Sequence, residues 1–212
     1  LKVIGVTGTN GKSTSTLLIK QILEYGGYRV GLINTIKNMI GDQVLESEYT
    51  TPEPLSLFAL FRRMADEEVD FVVMEVSSHA LAQHRVGGIE FEVGAFTNLT
   101  QDHLDFHQTM DNYKKAKGLL FTACRKAVIN VDDAAGAYMK QITSAKETLA
   151  YAIDTDNSDL TAKDVSFDIT GVKFEAVTKN AIARIFVPIP GKFTAYNALC
   201  AAGVCIMCGM KL

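Results

Sequence analysis

Hydrophobic and polar positions along the chain follow two different periods. Short, almost wholly apolar runs occupy residues 2–6, 29–34, 71–76, 93–99, 126–131 and 148–153. Runs such as FVVMEV and AVIN leave neither face polar, which predicts strands of a sheet covered on both sides. Between them apolar residues recur three and four apart, predicting helices over 13–25, 54–67, 110–121 and 132–142. Strand–helix alternation of this kind predicts an α/β fold built on a doubly wound, mostly parallel sheet. After residue 154 the period shortens to two: VSFDI, VKFEAV and ARIFVPI alternate across 160–188, with turns at 170–171 and 179–180. This predicts a small antiparallel sheet, over 155–190, appended to the main one. Pro190-Gly191 ends it, and a last helix is expected from 194 to the C-terminus.

Composition narrows the class. The 212 residues are 48% hydrophobic and 21% charged, enough to bury a sizeable core and unlike a disordered chain. The formal net charge is −3 and no Lys/Arg-rich run is present, so neither nucleic acid nor an anionic membrane is an expected partner. No apolar run approaches the roughly 18–20 residues that span a bilayer. The chain opens on Leu1 without a signal peptide, as expected of a cytoplasmic piece excised from a longer protein. Cys200, Cys205 and Cys208 have a spacing that can be read as an iron–sulfur pattern. They lie in an Ala-rich apolar stretch, however, and a cluster needs a loop that wraps the metal. With Cys124 they are expected to be reduced, small hydrophobes.

Candidate chemistry begins at VIGVTGTNGKSTST. Here a strand, then Gly8, Thr9, Asn10, Gly11, Lys12, Ser13 and Thr14, then a helix stand in the order of a phosphate-binding loop. Glycines let backbone N–H groups curl around an oxyanion, and the helix N-terminus adds a positive field. Lys12 can reach the β- and γ-phosphates and the Ser13 hydroxyl can ligate Mg2+. The loop departs from G-x4-G-K-[ST], because Val6 takes the first glycine position. The fold expected is therefore of the P-loop type. Glu75 ends the strand FVVMEV, where open α/β sheets hold their ligands, and a carboxylate there can bind Mg2+. All four histidines, His79, His84, His103 and His107, crowd between 79 and 107, near Asp102 and Asp105.

Seven stretches occur in one order: TGTNGKST, TTPE (50–53), MEVSSHALAQHRV (74–86), TNLTQDHLDFH (97–107), YKKAKGLLF (113–121), INVDD (129–133) and PGKFTAYNAL (190–199). Across essentially the whole chain this resembles the central ATPase domain of the Mur ligases. The pairing of TTPE with EVSSHAL-x-x-x-R most resembles the tripeptide-synthetase branch. The resemblance implies an ATP-dependent amide ligase of peptidoglycan precursor synthesis. Such an enzyme activates the D-Glu carboxylate of UDP-N-acetylmuramoyl-L-Ala-D-Glu as an acyl phosphate, which the amine of L-Lys or meso-diaminopimelate then attacks.

By the same resemblance, residues 8–14 would hold the ATP phosphates, with Asn98 and Asn197 near the nucleotide. Ser13 and Glu75 would bind one Mg2+ and His103 a second. Thr50, Thr51, Ser77, Gln83 and Arg85 would hold the muramyl peptide. Lys117 matches the lysine that the family carbamylates; an ammonium has only donors, whereas a carbamate offers two oxygens to Mg2+. Lys12, Lys117 and His103 would be catalytic. Thr194 stands where the family more often has Asn. The family has three domains, and residues 1–212 match only the middle one. The UDP-binding and amino-acid-binding domains are then expected to lie outside these residues, so the fragment alone, expected to be a monomer, should turn over little or nothing.

Two other readings remain open: a folylpolyglutamate synthase-like ligase sharing the GTNGK loop, and a non-catalytic nucleotide-binding homologue. TTPE with EVSSHAL-x-x-x-R weighs against the first, and the intact Lys12, Ser13, Glu75, His103 and Lys117 against the second. A generic P-loop kinase or GTPase would need a strand-ending Asp and a regular G-x4-G-K, and neither is found.

Overall fold

Neighbouring residues on the central strands point to opposite cores. Val3 and Val72 face one side, and Ile4 and Val73 the other, which is why these runs carry no polar alternation. A computed structural model describes residues 1–155 and 158–212. In chain order the first half contains β1 (Lys2–Thr7), α1 (Lys12–Tyr25), β2 (Val30–Ile33), β3 (Asn38–Ile40), β4 (Gln43–Leu45), α2 (Pro54–Asp66), β5 (Phe71–Glu75), α3 (Ser78–Ala82) and β6 (Phe91–Phe96). Then follow α4 (Leu104–His107), α5 (Met110–Thr122), β7 (Cys124–Asn130), α6 (Gly136–Ile142), β8 (Glu147–Ala152), β9 (Leu160–Asp168), β10 (Gly171–Thr178), β11 (Ile182–Val187) and α7 (Phe193–Met207).

All the described strands form one sheet in the order β11-β10-β9-β8-β7-β6-β1-β5-β2-β3-β4. Pairing is parallel from β2 through β9 and antiparallel at both edges. The chain crosses from the β5 side of β1 to the β6 side there, a switch point that opens a crevice at the strand C-termini. Helices α1 and α7 bury Ile19, Leu23, Leu199 and Val204 on one face. On the other, α2, α5 and α6 bury Leu57, Phe61, Leu120, Phe121 and Met139. Among the described residues, no helix is long and apolar enough to cross a membrane.

The antiparallel region joins the main sheet directly, since β9 pairs parallel with β8 through Tyr151–Leu160 and Ala152–Thr161. Asp156 and Asn157, within the expected 155–190 subregion, lie outside the described residues. The expected strand 93–99 stops at Phe96; Thr97 N still donates to Thr7 O of β1 at 3.0 Å, and beyond it the chain turns to loop partners. Thr97 Oγ1 donates to Asn10 O at 2.7 Å, and Leu99 N donates to Asp133 Oδ2 at 2.9 Å. The expected helix 132–142 starts only at Gly136, since Asp132 and Asp133 spend their carboxylates on loop N–H groups at Ile153, Asp154 and Ala135. The last helix stops at Met207 rather than running to the end. Gly209, at φ 95, closes a Schellman motif in which Met210 N donates to Cys205 O and Gly209 N to Ile206 O. Cys200 and Cys205 are buried in α7 and Cys208 caps it. Burial pushes the Cys200 and Cys208 thiols up to about 12, as expected of inert hydrophobes.

Candidate active site

The loop between β1 and α1 is bent by its glycines. Gly8 has φ 154, and a Cβ there would meet Thr97 Oγ1 at 1.9 Å; Gly11 has φ 87, and a Cβ would meet Asn197 Oδ1 at 2.2 Å. Neither position admits a side chain. No side chain caps α1 and no acidic residue lies in its first turn, so nothing on the helix itself counters its N-terminal field. The loop is stapled to residues 98–100: Thr9 N donates to Asn98 O, Asn10 N to Asn98 Oδ1 at 2.9 Å, and Thr100 N to Thr9 Oγ1 at 3.0 Å. Lys12 folds back on this loop, donating to Gly8 O and Thr9 O, both at 2.9 Å. Burial lowers the Lys12 pKa against the pull of Glu75 and Asp102. Thr14 is half-buried in the first turn of α1.

Glu75, at the end of β5 and only 1% exposed, meets the loop directly. Ser13 Oγ donates to Glu75 Oε1 at 2.7 Å. Thr35, just past β2, donates its N–H to Oε1 at 2.9 Å and its hydroxyl to Oε2 at 3.1 Å. Sequence reasoning did not single out Thr35; its signal was its place two residues beyond β2, the strand that pairs with β5. The half-buried Ser13 hydroxyl beside the Glu75 carboxylate is a hard oxygen pair that suits Mg2+. This ion commonly takes one or two protein ligands and completes its shell with phosphates and water. Among the described residues no three His, Cys, Asp or Glu converge as a metal cage.

The expected acceptor-binding residues gather beside Glu75. Thr51 Oγ1 donates to Glu75 O at 2.8 Å and accepts from Ser77 N at 3.1 Å. The Ser77 hydroxyl caps α3 by accepting from Ala80 N. Arg85 is held by Glu53 at 3.1 Å, by Gln83 Oε1 at 2.8 Å and by Thr51 O at 3.3 Å. Thr50 Oγ1 lies 3.0 Å from Thr35 Oγ1.

Lys117, on α5, is 1% exposed. Its Nζ donates to Gly8 O at 2.8 Å and sits 4.4 Å from the Tyr113 ring centroid. Burial, and then the nearby Lys12 charge, hold its pKa well below that of an ordinary lysine, against Asp102. His103 has left-handed backbone (φ 51), is exposed, and has Nε2 3.6 Å from Asp102 Oδ2. Its ring packs on His79 at 4.8 Å and Tyr113 at 5.9 Å, and His79 lies 5.5 Å from His107. His107 Nε2 is 2.9 Å from Ser78 Oγ. Burial lowers the pKa of both His79 and His107. His84 stands apart from the other three, exposed at a left-handed turn, φ 54.

Beside the loop opens a cavity of about 570 Å3, lined by Asn10, Asn98, Asp132, Phe193, Tyr196 and Asn197 among others. Both asparagines expected near a nucleotide are in its wall, and Phe193, 76% exposed, stands at α7's start. Thr194, in contrast, is buried with its hydroxyl on Pro190 O and does not line the cavity.

A family model described as the Mur ligase middle domain matches residues 6–205. The chain is 49% identical over 213 residues to a Clostridium botulinum protein named UDP-N-acetylmuramoyl-L-alanyl-D-glutamate--2,6-diaminopimelate ligase. It is 46% identical over 213 residues to one of the same name from Caldanaerobacter subterraneus. All of this chain is matched in both alignments, against 44% of each relative, so the chain spans less than half their length. A solved structure of an enzyme with that name superposes with a TM-score of 0.93 at 30% identity, over 100% of this chain and 44% of that one. A MurF structure from Acinetobacter baumannii, at 17% identity and TM-score 0.80, shares the fold over 100% of this chain and 44% of its own.

Proposed function

The chain belongs to the Mur ligase family, as its middle domain, and on that premise we propose that the parent enzyme joins 2,6-diaminopimelate to UDP-N-acetylmuramoyl-L-alanyl-D-glutamate, driven by ATP. The relatives' names weigh toward diaminopimelate over L-Lys, a choice the sequence left open. The observation that carries the reading is the Ser13–Glu75 pair at 2.7 Å, set against an uncapped helix N-terminus and the buried Lys117.

In this reading the loop N–H groups of residues 8–14 receive the ATP phosphates, and the base occupies the cavity between Asn98, Phe193 and Asn197. Lys12 turns from the Gly8 and Thr9 carbonyls onto the γ-phosphate as charge builds there. The D-Glu carboxylate, oriented by Arg85, Thr50 and Thr51, attacks the γ-phosphorus; the bond to the ADP oxygen breaks, and an acyl phosphate forms. The amine of diaminopimelate then attacks the acyl carbon, phosphate departs, and the nitrogen loses a proton to leave the amide. Mg2+, when bound, supplies charge neutralisation on the phosphates, with Ser13 and Glu75 holding one ion and His103 and a carbamylated Lys117 serving a second. Lys117 suits carbamylation because its buried, depressed amine is available neutral, as attack on CO2 requires. The enzyme is read as a cytoplasmic monomer acting on small molecules.

Phosphate release by the full-length enzyme tests this. ATP, Mg2+ and the muramyl dipeptide are supplied with diaminopimelate, with L-Lys or with no amino acid, beside a folate-plus-glutamate control. Release confined to the diaminopimelate tube supports the proposal. Turnover in the folate tube would move the protein to a folylpolyglutamate synthase-like activity. Silence everywhere from a folded, ATP-binding protein would make it a non-catalytic homologue.

A further inference from the structure

Thr35 was singled out by neither motif nor spacing, yet it touches both halves of the site. It stands on a fixed turn: Asn34 Oδ1 accepts from Ile36 N and Lys37 N, both at 2.9 Å, and Asn34 O accepts from Ser47 Oγ at 2.7 Å. From there its hydroxyl lies 3.1 Å from Glu75 Oε2 and 3.0 Å from Thr50 Oγ1. A carboxylate only accepts, and a hydroxyl has a single proton to give. The Thr35 hydroxyl is the donor toward both Glu75 Oε2 and Thr50 Oγ1, so its one proton is divided between the two. Thr50, accepting from Thr35, keeps its own hydroxyl proton, suited to be given to an oxygen of the acceptor.

We propose that Thr35 is a positioning residue that ties the cation-binding carboxylate Glu75 to the acceptor-binding loop through Thr50. The inference rests on the reading of Glu75 as a Mg2+ ligand given above. Thr35 holds both oxygens of Glu75, one through its N–H and one through its hydroxyl, so the carboxylate is fixed in rotation before any cation arrives. The same hydroxyl orders Thr50, so ordering at one end lowers the ordering cost at the other, and by linkage the effect runs both ways.

The test uses the full-length enzyme with Thr35→Val, which keeps the shape and the backbone N–H, and Thr35→Ser, which keeps the hydroxyl. Mn2+ binding in the presence of a non-hydrolysable ATP analogue is followed by electron paramagnetic resonance, and KM is measured for the muramyl dipeptide. T35V is expected to weaken Mn2+ binding and to raise the acceptor KM, each by about tenfold, the scale of one lost charge-assisted hydrogen bond. T35S is expected to restore both. Wild-type values in T35V, or equal losses in a folded T35S, would overturn the role of Thr35 alone. A wild-type enzyme that binds no Mn2+ with the nucleotide would instead overturn the Glu75 reading, and this inference with it. If T35V fails to fold, as judged by its melting curve, Thr35→Ala is read in its place by the same criteria.

Discussion

At the scale of single residues, the crowding around the phosphate-binding loop sets the expectations. Lys12 and Lys117 converge on one carbonyl, Gly8 O, and a half-buried and a buried ammonium so close are costly unless one is neutral. Lys12→Ala should lower kcat of the parent enzyme by orders of magnitude, since it removes charge stabilisation on the transferred phosphoryl group; a near-wild-type kcat would contradict its assigned role. Gly11→Ala forces a Cβ onto Asn197 Oδ1 at φ 87. A cost of about 1–2 kcal/mol from the left-handed backbone alone, and weakened nucleotide binding, are expected in a denaturation and ATP-titration series. For Lys117 the sign is set by which form reacts. Burial lowers its pKa, so the neutral amine persists to lower pH than on a surface lysine. At fixed dissolved CO2, a 13C-carbamate resonance should fade as pH drops and the amine takes up a proton. It should vanish in Lys117→Arg; a resonance that survives in that variant would place the carbamate elsewhere.

At the scale of elements, α7 links packing to binding. It runs along α1, buries Leu199 and Val204 in the shared core, and presents Tyr196 and Asn197 to the cavity. Leu199→Ala should cost about 2–5 kcal/mol, as for other fully buried leucines, read as a fall in Tm. Nucleotide affinity should fall with it, because Asn197 is carried on the helix turn that loses its support. An unchanged ATP affinity in the destabilised variant would mean that the cavity wall is held from elsewhere. The short elements α3 and α4 and the β3–β4 hairpin went unforeseen in the sequence. One-turn helices and three-residue strands carry too few positions for a period to register, and here local bonds such as Ser77 Oγ to Ala80 N define them.

At the scale of the whole molecule, the site lies at the C-terminal ends of the parallel strands, where β1 and β5 deliver the phosphate-binding loop and Glu75. Residues 1–212 correspond to 44% of the length of the relatives they match. The chain by itself is expected to bind ATP more weakly than the full-length enzyme and to release no phosphate in the assay given above. Turnover by residues 1–212 alone would show that the middle domain suffices for the chemistry.

The order of strands and helices, the two-sided burial of the sheet, the phosphate-binding loop and the change of period after residue 154 were all written in local pattern, because each depends on residues adjacent in the chain. Family membership was legible for the same reason, since its motifs are contiguous. What only the tertiary structure decided are relations across the sheet. Thr97 gives its hydroxyl to the Asn10 carbonyl across 87 residues. Lys117 becomes buried and its pKa depressed against a loop 109 residues away in sequence. Thr35 meets Glu75 across 40 residues. None of these leaves a trace in periodicity or spacing, because hydrogen bonding and burial are set by which strands become neighbours, and that order is fixed by the packing of the whole sheet.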